Sequence, residues 1–356
     1  MSETVDQSHT IEISRKGFFA DKIVFIDGQP GCGKTMLASI VAALDKAELL
    51  TYSYEIELIC MMRYLGRIEL DAASAAVGLH TDLALYNLMM SREVNFRIGD
   101  LSSIFSSAYP WRYIKRLFMK GDEHVPGRIR ELNPILTLTT HLLTGMSESI
   151  FSQLGDRVVF IEGVRHPAYM VRQQELNMER LVRNPRDFII YHFYKGKDYP
   201  FWARGWEEEF DQANAVEKAA LFIKHVSEWT NKTRKKVRDQ YGAKIITVPF
   251  ESFVLDPEPY LDEMCQCLGT RVTSVTRKAM KRQRVPRAKI ADGIGLGIYK
   301  RCGWEPGEKN SDERKELDKR MAYVRDRVSD NIYQDFKKLS DDYQNTYWSE
   351  LAIERV

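Results

Sequence analysis

No stretch of this chain approaches the length of an apolar membrane-spanning helix, and residues 1–8 (MSETVDQS) lack the basic start and apolar run of a secretion signal. Charge of one sign is also missing. Fifty-two Lys and Arg face 50 Asp and Glu, a net +2, which speaks against bulk binding to nucleic acid or to a membrane surface. Cysteine is scarce: Cys32, Cys60, Cys265, Cys267 and Cys302 are odd in number and have no metal-type spacing. That excludes a disulfide scaffold and fits a reducing cytoplasm. Cys265 and Cys267 fall on an amphipathic helical pattern and are expected to be buried free thiols. Internal repeats and low-complexity tracts are absent as well. What remains is a chain of 356 residues, long enough for one large α/β domain or two smaller ones.

The most telling segment is residues 24–35, VFIDGQPGCGKT. A short apolar run ends in Gly28, four residues intervene, and Gly33-Lys34-Thr35 leads into a helix-like stretch. This is the strand–loop–helix context in which backbone N–H groups and a helix N-terminus face a phosphate. Gly28, Gln29, Pro30, Gly31, Cys32, Gly33, Lys34 and Thr35 are therefore candidate nucleotide-binding residues. Lys34 adds a mobile positive charge and Thr35 a hydroxyl.

Strand-like runs fall at 22–27, 135–139, 157–162, 187–194 and 244–248, with helical patterns between them. Such alternation predicts an α/β fold, a P-loop-type three-layer sandwich around a central parallel sheet. Residues 1–20 read as a flexible lead-in and 21–275 as the core. An insertion at about 48–133, rich in helix formers and carrying Arg92, Arg97, Arg112 and Arg116, suits a lid or second-substrate pocket as well as plain helical packing. Residues 276–356 read as a basic, Gly-rich loop followed by a charged helical tail, solvated by default.

Two later segments complete a pattern. One strand-like run ends in Thr140-His141, and the next, Arg157–Glu162, leads to Arg165-His166-Pro167. With the phosphate loop in front, this order resembles the sulfotransferases that use 3′-phosphoadenosine-5′-phosphosulfate (PAPS). In that family a strand followed by Thr-His supplies the catalytic base, and one followed by Arg-x-Pro supplies the arginine for the donor's 3′-phosphate. The segment from Lys244 through Glu251 to Asp256-Pro257, with a helix ending at Leu268-Gly269, is similar to the family's next strand and helix. The resemblance covers about residues 22–270. It implies His141 as general base, Lys34 as stabiliser of the leaving oxygen and Arg165 as the 3′-phosphate contact. Gln173 stands where the family has a serine. Arg284 and Arg287, with Lys289, are the nearest substitutes for the family's Arg-Lys-Gly donor loop. The family's own loop carries its lysine at the position of Gly31; here Lys34 has P-loop NTPase spacing instead. A rival for the 3′-phosphate is Arg183, in a second Arg-x-Pro string.

Sulfuryl transfer needs a base for the acceptor's proton and positive charge where the leaving oxygen develops its own. Histidine ordinarily titrates near neutrality and suits the first task. The transferred group carries less negative charge than a phosphoryl group, so lysine and N–H donors serve without a metal. The acceptor is expected to be a small molecule or glycan, with a carbohydrate suited to the insertion's arginines and aromatics; residues 199–210 offer a stacking wall or a core loop. Two other functions remain open. In a P-loop kinase or NTPase, Thr35 would hold Mg²⁺ and Glu162 would be the second acidic site. In a non-catalytic nucleotide-binding module His141 would be dispensable.

Overall fold

The structure, a computed structural model, describes residues 11–293 and 312–348. Five parallel strands form the central sheet: β1 (Lys22–Gly28), β2 (Thr51–Tyr52), β3 (Ile135–Thr139), β4 (Val158–Val164) and, at the far edge, Lys244–Pro249. A separate antiparallel hairpin joins β5 (Tyr191–Tyr194) to β6 (Lys197–Pro200), which makes the edge strand β7. The sheet order is β2-β3-β1-β4-β7. Helices flank it, so the α/β sandwich expected from the alternation is the one observed. The inner strands β1, β3 and β4 are buried on both faces, as in parallel sheets generally. In the core Phe25 stacks on Phe160 at 5.0 Å, and Phe151 lies tilted against Phe160 at 5.1 Å.

Topology brings the candidate site segments together. The chain leaves β1 toward the β2 edge, returns through β3 beside β1, and then crosses to β4 on the other side. The carboxyl end of β1 is thus a switch point, where open α/β sheets hold ligands. The phosphate loop follows β1, His141 follows β3, and Arg165 follows β4, so all three emerge at one end of the sheet.

Several sequence expectations change. The run 187–194 was expected in the central sheet, but only Tyr191–Tyr194 is a strand, and it pairs with β6. Lys195 and Gly196 have φ of 46° and 85°, the two positive values a tight hairpin turn demands, so the chain folds back locally. The strand β2 lies inside the segment read as a helical insertion. Residues 11–20, read as part of a flexible lead-in, are tied to helix Leu70–Met89. Asp82 accepts from the Phe19 and Ala20 N–H groups at 2.7 and 3.1 Å and pairs with Arg15, while Asp71 accepts from Ile13 at 2.8 Å. Of the cysteines read as buried, Cys265 is half-buried and Cys267 exposed; Cys302 lies outside the described residues. The tail is not a solvated helix either. Helices Glu313–Arg325 and Asp330–Tyr347 bury Val324, Phe336, Ser340 and Tyr343, because their apolar residues share one face turned to the core.

The insertion's helix Pro110–Arg116 is anchored by a buried carboxylate. Glu48 accepts from both Arg116 Nη atoms at 2.7 and 2.9 Å, from Tyr113 Oη at 2.8 Å and from Arg112 at 3.3 Å. Arg116 is 4% exposed, so removing Glu48 leaves a desolvated guanidinium without its counterion. Glu48→Ala should therefore destabilise the fold by about 3–5 kcal/mol. Urea denaturation checks this, and a loss below about 1 kcal/mol, that of an exposed pair, would contradict it.

Candidate functional site

The phosphate loop is shaped by its glycines. Gly28, Gly31 and Gly33 have φ of 142°, 97° and 89°, where side-chain-bearing residues are strained. At Gly28 a Cβ would run into the Gly163 carbonyl, and at Gly33 into the Phe250 ring. Gly33 caps the helix Lys34–Val41, whose first N–H groups have no partner within the helix. Cys32 packs between Gly28 and Gly163, and burial pushes its thiol up to about 11, so it is an inert filler. Gln173, matched to the family's serine, stands beside Gly31, with Oε1 3.3 Å from where a Gly31 Cβ would lie. Its neighbour Gln174, which the sequence reading passed over, donates to the Pro30 carbonyl at 2.7 Å.

Asp27, the last side chain before the loop, is 1% exposed and fully engaged. Its Oδ1 accepts from Thr140 Oγ1 at 3.1 Å, and its Oδ2 accepts from the N–H and hydroxyl of Thr144, both at 2.7 Å. One carboxylate thus ties β1 to the turn carrying His141. Lys34 adds a second tie by donating to the Thr140 carbonyl. Desolvation lowers the Lys34 pKa, while the charge of Asp27 acts in the opposite direction.

His141 is held from the other side by Glu57 of helix Tyr54–Tyr64. Glu57 Oε1 accepts from the His141 backbone N–H at 2.6 Å and lies 3.1 Å from Nδ1. The carboxylate selects the tautomer with hydrogen on Nδ1, which leaves Nε2 as the proton acceptor. The imidazole is 40% exposed and nearly parallel to the Tyr52 ring, centroids 6.2 Å apart. It opens into a cavity of about 260 Å³ that Pro30 of the phosphate loop also lines. Phe201 and Trp202, from the segment offered as a stacking wall, line the same cavity.

Arg165 lies against the loop but is only 8% exposed. Its Nη1 donates to the Gly31 carbonyl at 3.0 Å, its Nε stands 3.9 Å from Glu251, and its guanidinium lies 4.2 Å from the Phe250 centroid. Glu251 is buried too and accepts from Tyr343 Oη at 2.6 Å, so a tail helix helps fix this corner. The Arg287 guanidinium comes within 5.3 Å of the same Phe250 ring and reaches Met36 of the loop helix. Arg284 is exposed, donates to the Gly293 carbonyl and stands farther out, as does Lys289. Arg183 is not brought here: its guanidinium donates to the Asp198 carbonyl of the β5–β6 hairpin. Glu162 is buried and held by Arg234, with Nε at 3.1 Å; desolvation raises its pKa against the pull of that guanidinium.

No family model matches the chain, and no curated protein does. Solved structures similar to it include the sulfotransferase domain of the Synechococcus olefin synthase, at 14% identity and a TM-score of 0.42, covering 94% of this chain and 98% of that one. Another is the sulfotransferase domain from the curacin biosynthetic pathway, at 13% identity and 0.40, covering 85% and 97%. A third is mouse sulfotransferase SULT7A1 complexed with PAP, at 11% identity and 0.36, covering 97% and 91%. These are sulfotransferases, as the sequence motifs suggested.

Gly33→Ala should disturb this site more than a matched control does. Its methyl meets the Phe250 ring, whereas Gly66, with φ 71°, faces open space. We expect Gly66→Ala to cost about 1 kcal/mol and Gly33→Ala clearly more. Thermal melts measure both; equal effects would contradict the close approach of Phe250.

Proposed function

We propose that this chain is a sulfotransferase that moves the sulfuryl group of PAPS to a hydroxyl acceptor. One observation carries the reading: Lys34 of the phosphate loop donates to the carbonyl of Thr140, the residue next to His141. A phosphosulfate cradled by the loop would thus have its reacting end beside the imidazole, and Pro30 and His141 share one cavity. In the reaction the acceptor oxygen bonds to sulfur as the bond from sulfur to the 5′-phosphate oxygen breaks. The hydroxyl proton passes to His141 Nε2, and 3′,5′-bisphosphoadenosine leaves with the electron pair.

Each side chain has a physical task in that step. Glu57 keeps Nδ1 protonated and stabilises the imidazolium once Nε2 takes its proton. Lys34 exchanges the Thr140 carbonyl for the donor and, with the loop N–H groups, offsets charge growing on the leaving oxygen. Partial desolvation strengthens that attraction. Arg165 and Arg287, gathered at Phe250 beside Gly33, are assigned to the 3′-phosphate, with Gln173 alongside and Arg284 at the rim. The kinase reading asks Glu162 to serve a Thr35-bound cation; its pairing with Arg234 supports sulfuryl transfer instead.

Protection of the wild type by 3′,5′-bisphosphoadenosine without metal is expected, worth about 2.7 kcal/mol at a hundred times Kd. His141→Gln should keep that protection while lowering turnover with labelled PAPS roughly 10²–10⁴-fold, the usual share of a general base. Protection only by ATP with Mg²⁺ would favour the kinase. A folded His141→Gln enzyme with normal turnover would remove the histidine from the mechanism.

A further inference from the structure

We infer that the chain has a second small-molecule site, beside the phosphate loop and apart from the His141 cavity, which takes an uncharged polyol the size of a monosaccharide. The inference is independent of sulfuryl transfer. A cavity of about 320 Å³ lies between the end of β4, the long helix Ala215–Tyr241 and the tail helix Asp330–Tyr347, and it reaches the loop at Gln29 and Cys32. That volume is at the small end of the range for ligand sites. It shares no lining residue with the cavity of His141. Of the side chains assigned above to the donor, only Arg165 borders it; Lys34, Gln173, Arg284 and Arg287 do not.

Two buried atoms of its lining residues have no hydrogen-bond partner, Gln29 Oε1 and Arg165 Nε. Both side chains are otherwise held: Gln29 Nε2 donates to Ser227 Oγ at 3.0 Å, and Arg165 Nη1 to the Gly31 carbonyl at 3.0 Å. One orphan accepts and the other donates, and a hydroxyl group does both. Leaving such atoms unpaired is costly, so a ligand that satisfies them gains accordingly. The hydroxyls of Ser227, Thr230, Thr346 and Tyr347 add polar wall, while Val164, Pro167, Met170 and Leu339 offer apolar surface to ring carbons. The charges decide against an anion. Glu162 pairs with Arg234, whose Nη1 also donates to Asn231 Oδ1 at 3.0 Å. Arg165 faces Glu251 at 3.9 Å, and Tyr343 Oη donates to that same carboxylate at 2.6 Å. Asp342, exposed at the rim, has no ion-pair partner among the described residues. The surplus charge is therefore negative, which disfavours phosphates, carboxylates and the nucleotide itself.

The test titrates glucose, galactose, mannose and myo-inositol, with gluconate as the anionic counterpart, into the full chain by calorimetry and saturation-transfer NMR. Each titration is run with and without 3′,5′-bisphosphoadenosine. Saturable binding of at least one neutral polyol is expected, at least tenfold tighter than gluconate and unchanged by the nucleotide. Thr230→Val, which removes one wall hydroxyl at constant shape, should weaken it about fivefold. Thr346→Trp, an exposed change that fills the mouth, should weaken it at least tenfold, with a melting temperature near that of the wild type. No saturable binding by the folded protein would leave the cavity to water and overturn the inference. Gluconate binding as tightly as the polyols would overturn the ligand class, and displacement by the nucleotide would make the cavity part of the donor site. Wild-type polyol affinity in both variants would place the ligand elsewhere and end the assignment. If the polyol binds while 3′,5′-bisphosphoadenosine does not, the second site stands and sulfuryl transfer falls.

Discussion

The carboxylate of Asp27 is the constraint on which the site depends. A buried carboxylate is costly to strip of water unless hydrogen bonds replace the lost hydration. Asp27 finds three, from Thr140 Oγ1 and from the N–H and hydroxyl of Thr144. All three come from the turn after β3, so the solvation of one side chain fixes the distance between the phosphate loop and the histidine turn. Lys34 closes the same gap through the Thr140 carbonyl. Glu57 then sets the imidazole from the opposite side, leaving His141 little freedom beyond its ring face.

A second array of buried charge supports the loop from the β4 side. Arg165, Glu251 and Tyr343 link the loop carbonyl at Gly31 to the end of β7 and to a tail helix. His166, next in the chain, is pushed down to about 3 by burial and is neutral at physiological pH; it accepts from the Ala168 N–H and meets Gln344. The tail is thereby part of the site's scaffold. Burial and hydrogen bonding, rather than surface ion pairs, make this corner rigid, because exposed pairs contribute little.

The two halves of the site differ in chemistry. Glycines, a helix N-terminus, Lys34 and the Phe250 arginines form a cationic, N–H-rich side suited to phosphates. On the other side of His141 the walls are largely aromatic and aliphatic, with Glu57, Gln174, Asn177, Arg186 and Asp187 set among them. His141 sits at the boundary between the two. Two of the insertion's arginines, Arg112 and Arg116, hold the insertion together through Glu48.

The parts legible in the chain were the local ones. The phosphate loop needs glycines at fixed offsets between a strand and a helix, and the strands ending near His141 and Arg165 are short runs rich in apolar and β-branched residues; both signals lie within a dozen residues. The central sheet could be read for the same reason, apart from the two-residue β2 and the 187–194 run that turned back at Lys195-Gly196. No local pattern marks Asp27 as the partner of Thr144, 117 positions away, or Glu57 as the partner of His141, 84 positions away. Nothing local tells that Gln174 meets Pro30, or that the cavity's walls come from segments far apart in the chain. Sequence alone thus determined which groups are able to bind phosphate and accept a proton, since those are properties of residue types and short spacings. Only the tertiary structure decided which of those groups face one another and which are consumed by buried partners, because desolvated charges pair with whatever the packing brings near.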